Sequence, residues 1–180
     1  MNSMAQNEVI LVNEYDEPIG VMEKMPVHEQ GLLHRAFSVF IFDEKGRMLL
    51  QQRAAGKYHG AGLWTNACCS HPFPGEAVEN AAVRRLKEEL GFTTTLQKIF
   101  TFTYHARVEN DLIEHEFDHV FAGKYQGKIE MDPEEVSDYA YKEMQELAQE
   151  LERHPERFTS WFKIAFPEIE KWWQLQNLWN

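Results

Sequence analysis

The sequence predicts an α/β (α+β) sandwich in which helices pack against a β-sheet. Several short segments have the β-branched and aromatic runs or the polar and apolar alternation of strands, one central segment has apolar residues at helical spacing, and the last third of the chain is helical in pattern. At 180 residues the chain is long enough for one sizeable core and too short for two. We therefore expect a single domain over residues 1–180, with residues 1–6 as a flexible N-terminal tail.

Two β-hairpins are expected in the first third of the chain. Residues 9–12 and 19–22 are apolar runs that flank a turn at residues 16–18. The segment AFSVFIFDEKGRMLLQQRA repeats this pattern, because a β-branched and aromatic run is followed by a Glu-Lys-Gly turn and by a second strand over residues 48–53.

The central helix has the most regular pattern. Between residues 76 and 90 the apolar residues recur at steps of three and four, and Gly91 follows as a helix-ending residue. Residues 95–108 and 112–125 then alternate polar and apolar side chains, as strands with one buried face do. Two further helices are expected over residues 134–155 and 160–176, the second of them broken at Pro167.

The charge of the chain restricts its partners. A formal net charge of −11 argues against a nucleic-acid surface, which needs clustered Lys and Arg. No segment approaches the roughly 18 apolar residues of a membrane helix, and the first residues lack the features of a signal peptide. We expect a cytoplasmic protein with no membrane partner. An anionic ligand would require metal ions or a local basic pocket to overcome the negative field.

Both cysteines lie side by side in the segment LWTNACCSHPFPGE. A disulfide between adjacent cysteines cannot cross-link distant parts of a domain. The two cysteines also lack the two-residue gap of a Cys-x-x-Cys zinc knuckle. Reactivity and core packing remain as the explanations for Cys68 and Cys69. His71 follows two residues later, directly before the central helix.

The central helix also carries a cluster of charged residues. Arg85 and Glu89 are one helical turn apart, and Glu88 lies beside Glu89. On an isolated helix, such a cluster is usually a solvated face with weak ion pairs. The proximity of the cysteine and histidine turn favours a functional role instead.

Carboxylates and histidines elsewhere indicate a metal site. Glu114 and Glu116 are two residues apart in a strand and therefore share one face, which is either the exposed face of an edge strand or the site of a shared cation. His28 and His34 lie on the expected loop after the second strand. Together with His71 they would complete a mixed nitrogen and oxygen site suited to Mg²⁺, Mn²⁺ or Zn²⁺. The other five histidines are interpreted as surface or core residues.

Five segments resemble type I isopentenyl-diphosphate isomerases, a family of the Nudix superfamily, from about residue 7 to the C-terminal helix. They are HRAFSVFIF, LLQQRA, GLWTNACCSHP, RRLKEELG and EHEF. The run W-T-N-x-x-C-x-H-P over residues 64–72, combined with Glu-x-Glu at 114–116, is the specific part. The resemblance implies a Nudix-type α/β/α sandwich with a mixed β-sheet. It also implies interconversion of isopentenyl diphosphate and dimethylallyl diphosphate, so that the substrate is a small prenyl diphosphate.

The chain departs from the general Nudix box G-x5-E-x7-R-E-x2-E-E-x-G. With the last glycine of the box on Gly91, Ser70 replaces the first glycine, Arg85 replaces a glutamate, and the other charged positions match at Glu76, Arg84, Glu88 and Glu89. The lost acid weakens the alternative of a Nudix hydrolase that cleaves a nucleoside diphosphate derivative with several Mg²⁺ ions. An arginine suits an enzyme that holds phosphates without cutting them. A binding module without turnover is a third interpretation.

The resemblance implies three groups of ligand-binding residues. The first metal, which is Mn²⁺, Mg²⁺ or Zn²⁺, would be bound by His28, His34, His71, Glu114 and Glu116. A Mg²⁺ on the diphosphate would be bound by Glu89 and the main-chain carbonyl of Cys69. The phosphate oxygens would be bound by Lys24, Arg53, Lys57, Ser70 and Arg85.

The resemblance also implies the catalytic residues. Because an alkene is a very weak base, moving its double bond requires a strong acid at carbon and a dry site that stabilises a carbocation. Cys69 and Glu116 would exchange protons with the substrate from opposite sides, and Tyr104 would orient or shuttle a proton beside Glu116. Trp161 would face the cation, and Cys68 would be a packing residue. We expect a monomer or weak homodimer.

Overall fold

The computed structural model describes residues 7–177, so the expected tail at residues 1–6 lies outside the described residues. The strands are β1 Glu8–Val12, β2 Pro18–Glu23, β3 His34–Phe42, β4 Met48–Arg53, β5 Trp64–Thr65, β6 Cys68–Ser70, β7 Leu96–Arg107, β8 Ile113–Lys124 and β9 Val136–Lys142. The helices are α1 Lys24–Gln30, α2 Val78–Leu90, α3 Met144–Arg153 and α4 Ser160–Asn177. Short 3₁₀ turns cover Glu109–Asp111 and Pro155–Arg157.

The strands form a mixed sheet with β3 at its centre. Every residue of β3 pairs in parallel with β8. On the far side of β8, β7 pairs with it in antiparallel. The other side of β3 pairs in antiparallel with β1, β6 and β4, and β9 pairs with β4. The mixed sheet that the family resemblance implied is confirmed.

The two faces of the sheet bury two separate apolar clusters. Alternate residues of β3 point to opposite faces, so Val39 packs with the apolar side of α2, whereas Phe40 packs with α4. This arrangement is the predicted α/β/α sandwich. None of the helices over residues 7–177 is long and apolar enough to cross a membrane.

The hairpin of β3 and β4 is closed by Asp43, which is buried at the start of the turn. Its carboxylate accepts hydrogen bonds from the backbone N–H groups of Lys45 (3.0 Å) and Arg47 (2.9 Å) and from Arg47 Nε (2.7 Å). Burial raises the pKa of Asp43, but these hydrogen bonds outweigh it, and the pKa lies below its usual value.

Two predictions in the last third of the chain are wrong. Residues 134–155 are not one helix, because Val136–Lys142 forms β9 on the edge of β4 before α3 begins. Helix α4 is also not broken at Pro167, which lies inside a continuous helix of 18 residues. One face of α4 buries Phe162, Phe166 and Ile169 against the sheet, and this packing outweighs the hydrogen bond that proline cannot donate.

Candidate active site

The predicted site residues converge on a pocket to which residues of both α2 and α4 contribute. Twelve predicted residues line it: Lys24, Arg53, Lys57, Cys69, Ser70, His71, Arg85, Glu89, Tyr104, Glu114, Glu116 and Trp161. Two more, His28 and His34, are fully buried beside it. The sequence indicated that both residues lie on one loop, and this prediction is wrong. His28 belongs to α1 and His34 begins β3.

Four side chains form a compact group that could bind a metal ion. The ligand atoms of His28, His34, His71 and Glu116 all lie within 4.8 Å of one another. The parallel register of β3 and β8 places His34 directly beside Glu116. His71 follows β6, which pairs with the other edge of β3, and its Nε2 lies 3.0 Å from Glu116 Oε1.

The hydrogen bonds of His28 and His34 use Nδ1 and leave Nε2 as the ring nitrogen that lies within the group. His28 Nδ1 donates to the carbonyl of Lys24 and His34 Nδ1 donates to that of Leu32, both at 2.8 Å. Each Nε2 therefore keeps a lone pair for a metal. Among the described residues, His28 Nε2 is buried without a hydrogen-bond partner, and a cation would satisfy it.

The protonation states also suit a metal site. Burial lowers the pKa of His28 to about 4 and that of His71 to about 3. Both imidazoles are therefore neutral at pH 7, as metal ligands must be. The Nε2 atoms of His34 and His71 are only 3.2 Å apart, a contact that a shared cation would stabilise.

Glu114 lies on the same strand face as Glu116 but outside this group of four. Its Oε1 is 2.5 Å from His59 Nε2, and its Oε2 accepts a hydrogen bond from the Tyr104 hydroxyl at 3.0 Å. The same hydroxyl lies 2.7 Å from Glu116 Oε2. Burial and the charges of Glu114 and Glu116 raise the pKa of Tyr104, so the phenol keeps its proton and links the two carboxylates.

Sequence reasoning missed His59, which was interpreted as a surface or core residue. The structure buries His59 in the pocket between Glu114 and Trp161. The ring centroids of His59 and Trp161 are 5.5 Å apart. The signal that could have found it is its position in the loop GKYHGAG, two residues after Lys57.

The two adjacent cysteines point to opposite faces of the sheet. Cys68 is fully buried in the cluster under α2, as expected of a packing residue. Cys69 lines the pocket, and its thiol donates to Asn66 Oδ1 at 3.1 Å and lies 3.5 Å from Ser38 Oγ. Burial raises the pKa of the Cys69 thiol, with a further contribution from the charge of Asp118, so the sulfur carries its proton.

Basic residues also line the pocket. Arg85 NH2 lies 2.7 Å from the buried carboxylate of Glu89 and 3.3 Å from that of Glu135. Lys57 also contacts Glu135, and burial lowers the pKa of Lys24 to about 8. This local positive charge is what an acidic protein requires to bind an anion.

The charged cluster of α2 therefore divides into two parts. Glu88 is half-exposed and pairs with Arg84 and Arg85, as the solvated-face explanation predicts. Glu89 is instead 4% exposed and accepts a hydrogen bond from the buried Gln51 amide at 2.8 Å. Only the second carboxylate lines the pocket.

Trp161 closes the pocket from α4. It is 5% exposed, and the guanidinium carbon of Arg53 lies 5.1 Å from the centroid of its ring. The ring therefore already faces a positive charge from the pocket side. Among the residues over 7–177, Trp161 Nε1 is one of the few buried polar side-chain atoms without a hydrogen-bond partner.

Comparison with known proteins agrees with this architecture. The family model described as NUDIX domain matches residues 32–162. The crystal structure of DR0079 from Deinococcus radiodurans superposes with a TM-score of 0.74 at 17% identity, covering 89% of this chain and 98% of that one. A MutT NUDIX hydrolase from Burkholderia pseudomallei gives a TM-score of 0.60 at 20% identity, covering 75% and 96%. These two likenesses concern the fold alone.

Sequence relatives are more specific. The isopentenyl-diphosphate Delta-isomerase of Serratia proteamaculans is 52% identical over 172 residues, which cover 93% of this chain and 96% of the relative. The protein of the same name from Burkholderia multivorans is 46% identical and covers 93% and 98%. That from Streptomyces avermitilis is 49% identical over 155 residues and covers 84% and 78%. The chain thus has a NUDIX domain and belongs to the isopentenyl-diphosphate Delta-isomerase family.

Proposed function

We propose that this chain interconverts isopentenyl diphosphate and dimethylallyl diphosphate, with Cys69 and Glu116 as the two groups that exchange protons with carbon. The observation that carries the proposal is that the Cys69 thiol and the Glu116 carboxylate line one pocket. Basic residues and the indole of Trp161 line the same pocket. The relatives at 46–52% identity are named for this isomerisation.

The reaction moves one proton onto a terminal carbon of the substrate and removes another from the carbon on the far side of the double bond. One of the two groups donates while the other accepts, and the roles reverse in the opposite direction. Tyr104 holds the carboxylate of Glu116 through its hydroxyl, which lies 2.7 Å from Oε2. Trp161 offers its π face to the tertiary cation and cannot attack it, because an aromatic ring is a poor nucleophile.

The first metal site is proposed to comprise His28, His34, His71, Glu114 and Glu116, with Mn²⁺, Mg²⁺ or Zn²⁺ as its ion. The orphaned Nε2 of His28 and the neutral imidazoles fit such an ion. When bound, the cation supplies positive charge that stabilises the ionised form of Glu116. Glu114 would have to exchange its contact with His59 for the metal.

The diphosphate end of the substrate is assigned to the basic residues of the pocket. Lys24, Arg53, Lys57, Ser70 and Arg85 would bind phosphate oxygens. Glu89, together with the Cys69 carbonyl, would hold the Mg²⁺ that accompanies the diphosphate. The buried position of Glu89 supports this role, since a solvated surface acid would not need Gln51 as a partner.

We further propose that the substrate is a free prenyl diphosphate, and that the chain acts in the cytoplasm as a monomer or weak homodimer. These statements come from the sequence and from the resemblance to the family. A single domain over residues 1–180 likewise stays a prediction.

The deciding experiment incubates the purified protein with isopentenyl diphosphate, Mg²⁺ and Mn²⁺, and follows both dimethylallyl diphosphate and released phosphate. The proposal expects the allylic product without phosphate. Phosphate release without allylic product would overturn it in favour of a Nudix hydrolase. Metal analysis of the wild-type protein before and after chelation tests whether the first site holds an ion. The same analysis of His28→Ala should show that the tightly bound ion is lost.

A further inference from the structure

We propose that Glu135 competes with the substrate's diphosphate for Lys57 and Arg85, and so acts as a specificity-determining residue. In the free protein the carboxylate of Glu135 contacts both Lys57 and Arg85, and only a more highly charged anion displaces it. This inference rests on the proposed function, which assigns Lys57 and Arg85 to the phosphates.

The geometry of Glu135 resembles that of a bound phosphate group. One carboxylate oxygen, Oε2, contacts Lys57 Nζ, and the other, Oε1, lies 3.3 Å from Arg85 NH2. Two oxygens of one anion thus bridge two cations that the proposed function gives to two oxygens of the diphosphate.

The backbone of Glu135 keeps this carboxylate within reach of the pocket. Its carbonyl accepts a hydrogen bond from Ala54 N at 3.0 Å, and its own N–H donates to the carbonyl of Asp132, also at 3.0 Å. Glu135 therefore lies directly before β9 and is hydrogen-bonded to the residue that follows β4. A tethered anion has a high effective concentration at its site, so it competes even with a weak intrinsic affinity.

The two cations depend on Glu135 to different degrees. Within residues 7–177, Glu135 is the ion-pair partner of Lys57, whereas Arg85 is also held by Glu88 at 2.8 Å and Glu89 at 2.7 Å. Removing the charge of Glu135 would free Lys57 and leave Arg85 oriented. The side chain of Glu135 is 23% exposed, so it has a path into solvent when an anion arrives.

This competition predicts selectivity for charge. A diphosphate carries enough charge and enough oxygens to replace the carboxylate on both cations at once. A monophosphate competes less well, because its smaller charge gains less from the same two contacts. Glu135 would thereby disfavour singly phosphorylated prenyl alcohols and small carboxylates.

The test compares Glu135→Gln with Glu134→Gln, a control that removes the same charge from the adjacent, exposed residue. Glu135→Gln should lower the KM for isopentenyl diphosphate by up to about fivefold, the upper end of the range for losing one partly exposed ion pair. Its inhibition constant for isopentenyl monophosphate should fall by at least the same factor. Glu134→Gln should leave both values unchanged. Glu135→Ala serves as a second variant and should change them in the same direction.

An unchanged or raised KM in both Glu135 variants would overturn the inference, because it would mean that Glu135 orients the cations or helps to bind metal. Failure of the proposed function is distinguishable, since the wild-type protein would then form no allylic product. In that case calorimetry with inorganic pyrophosphate still tests the competition, and tighter binding to Glu135→Gln than to wild type is the expected result.

Discussion

Replacing Cys69 by alanine separates chemistry from packing at one point of the chain. The substitution removes the sulfur that lies 3.1 Å from Asn66 Oδ1 and leaves the backbone pairing of residue 69 with Ser38 in place. Cys68→Ala is a matched control, since it removes the same atom from the neighbouring residue on the opposite face of the sheet. The two variants differ only in which side of β6 loses its sulfur.

The expected magnitudes follow from these surroundings. Losing a group that donates or accepts a proton at carbon should lower kcat about 10²–10⁴-fold, equivalent to roughly 3–5 kcal/mol of activation free energy. Substrate affinity should change little, because the thiol is assigned to the carbon chain, and the side chains proposed to bind phosphate oxygens remain in place. Cys68 is fully buried among apolar side chains, so its truncation should cost on the order of 1 kcal/mol of unfolding free energy and leave kcat unchanged.

The assay measures formation of dimethylallyl diphosphate together with binding of the substrate by calorimetry. Thermal unfolding of both variants shows whether either substitution destabilises the fold. Near wild-type turnover by Cys69→Ala would refute the assignment of the thiol. Equal losses in the two variants would also contradict it, since a shared defect points to damage of β6 and not to missing chemistry.

Three other predictions concern the pocket and the fold. Tyr104→Phe removes a hydrogen bond to a charged carboxylate, so steady-state kcat should fall about tenfold to a hundredfold, and an unchanged kcat would exclude a role for the phenol. Because burial lowers the pKa of Lys24 to about 8, the lysine is charged below that pH and neutral above it. The KM of wild type should therefore rise between pH 7 and pH 9, whereas Lys24→Met should have a high KM without this rise. Asp43→Ala should cost about 2–3 kcal/mol of unfolding free energy at pH 7 in urea titrations. The pKa of Asp43 in the native protein is lower than in the unfolded chain. The stabilisation by Asp43 is therefore present at pH values above the unfolded-state pKa and is lost as the pH falls through the native pKa. In that range the difference in unfolding free energy between wild type and Asp43→Ala should shrink.

Local patterns were sufficient for most of the fold. The first hairpin, the hairpin closed by Asp43, the central helix and the long strands β7 and β8 were all predicted from apolar runs, turn residues or regular spacing. Gly91 adopts a left-handed conformation with φ of 79° at the end of α2, as its position after the last apolar residue indicated.

The errors occur where tertiary contacts overrule a local pattern. Strand β9 is mostly exposed, so it has no clear apolar alternation, and its pairing with β4 decides its conformation. The helix through Pro167 is stabilised by side chains that reach the sheet. His59 and Glu135 were missed for the same reason, because each reaches its partners only through contacts distant in sequence, with 55 residues separating His59 from Glu114 and 78 separating Lys57 from Glu135.

The register of β8 on β3 connects the fold to the proposed chemistry. Parallel pairing sets His34 against Glu116, and the antiparallel pairing of β6 sets Cys69 against Ser38 on the same central strand. A slip of one residue in either pair would turn the functional side chain to the α2 face and bring a core residue into the pocket. The residue types for the reaction can be recognised in the sequence, but their alignment depends on three strands that meet only in the folded sheet. Substitutions in the apolar residues that fix this register should therefore affect metal binding and turnover together, even without touching the pocket.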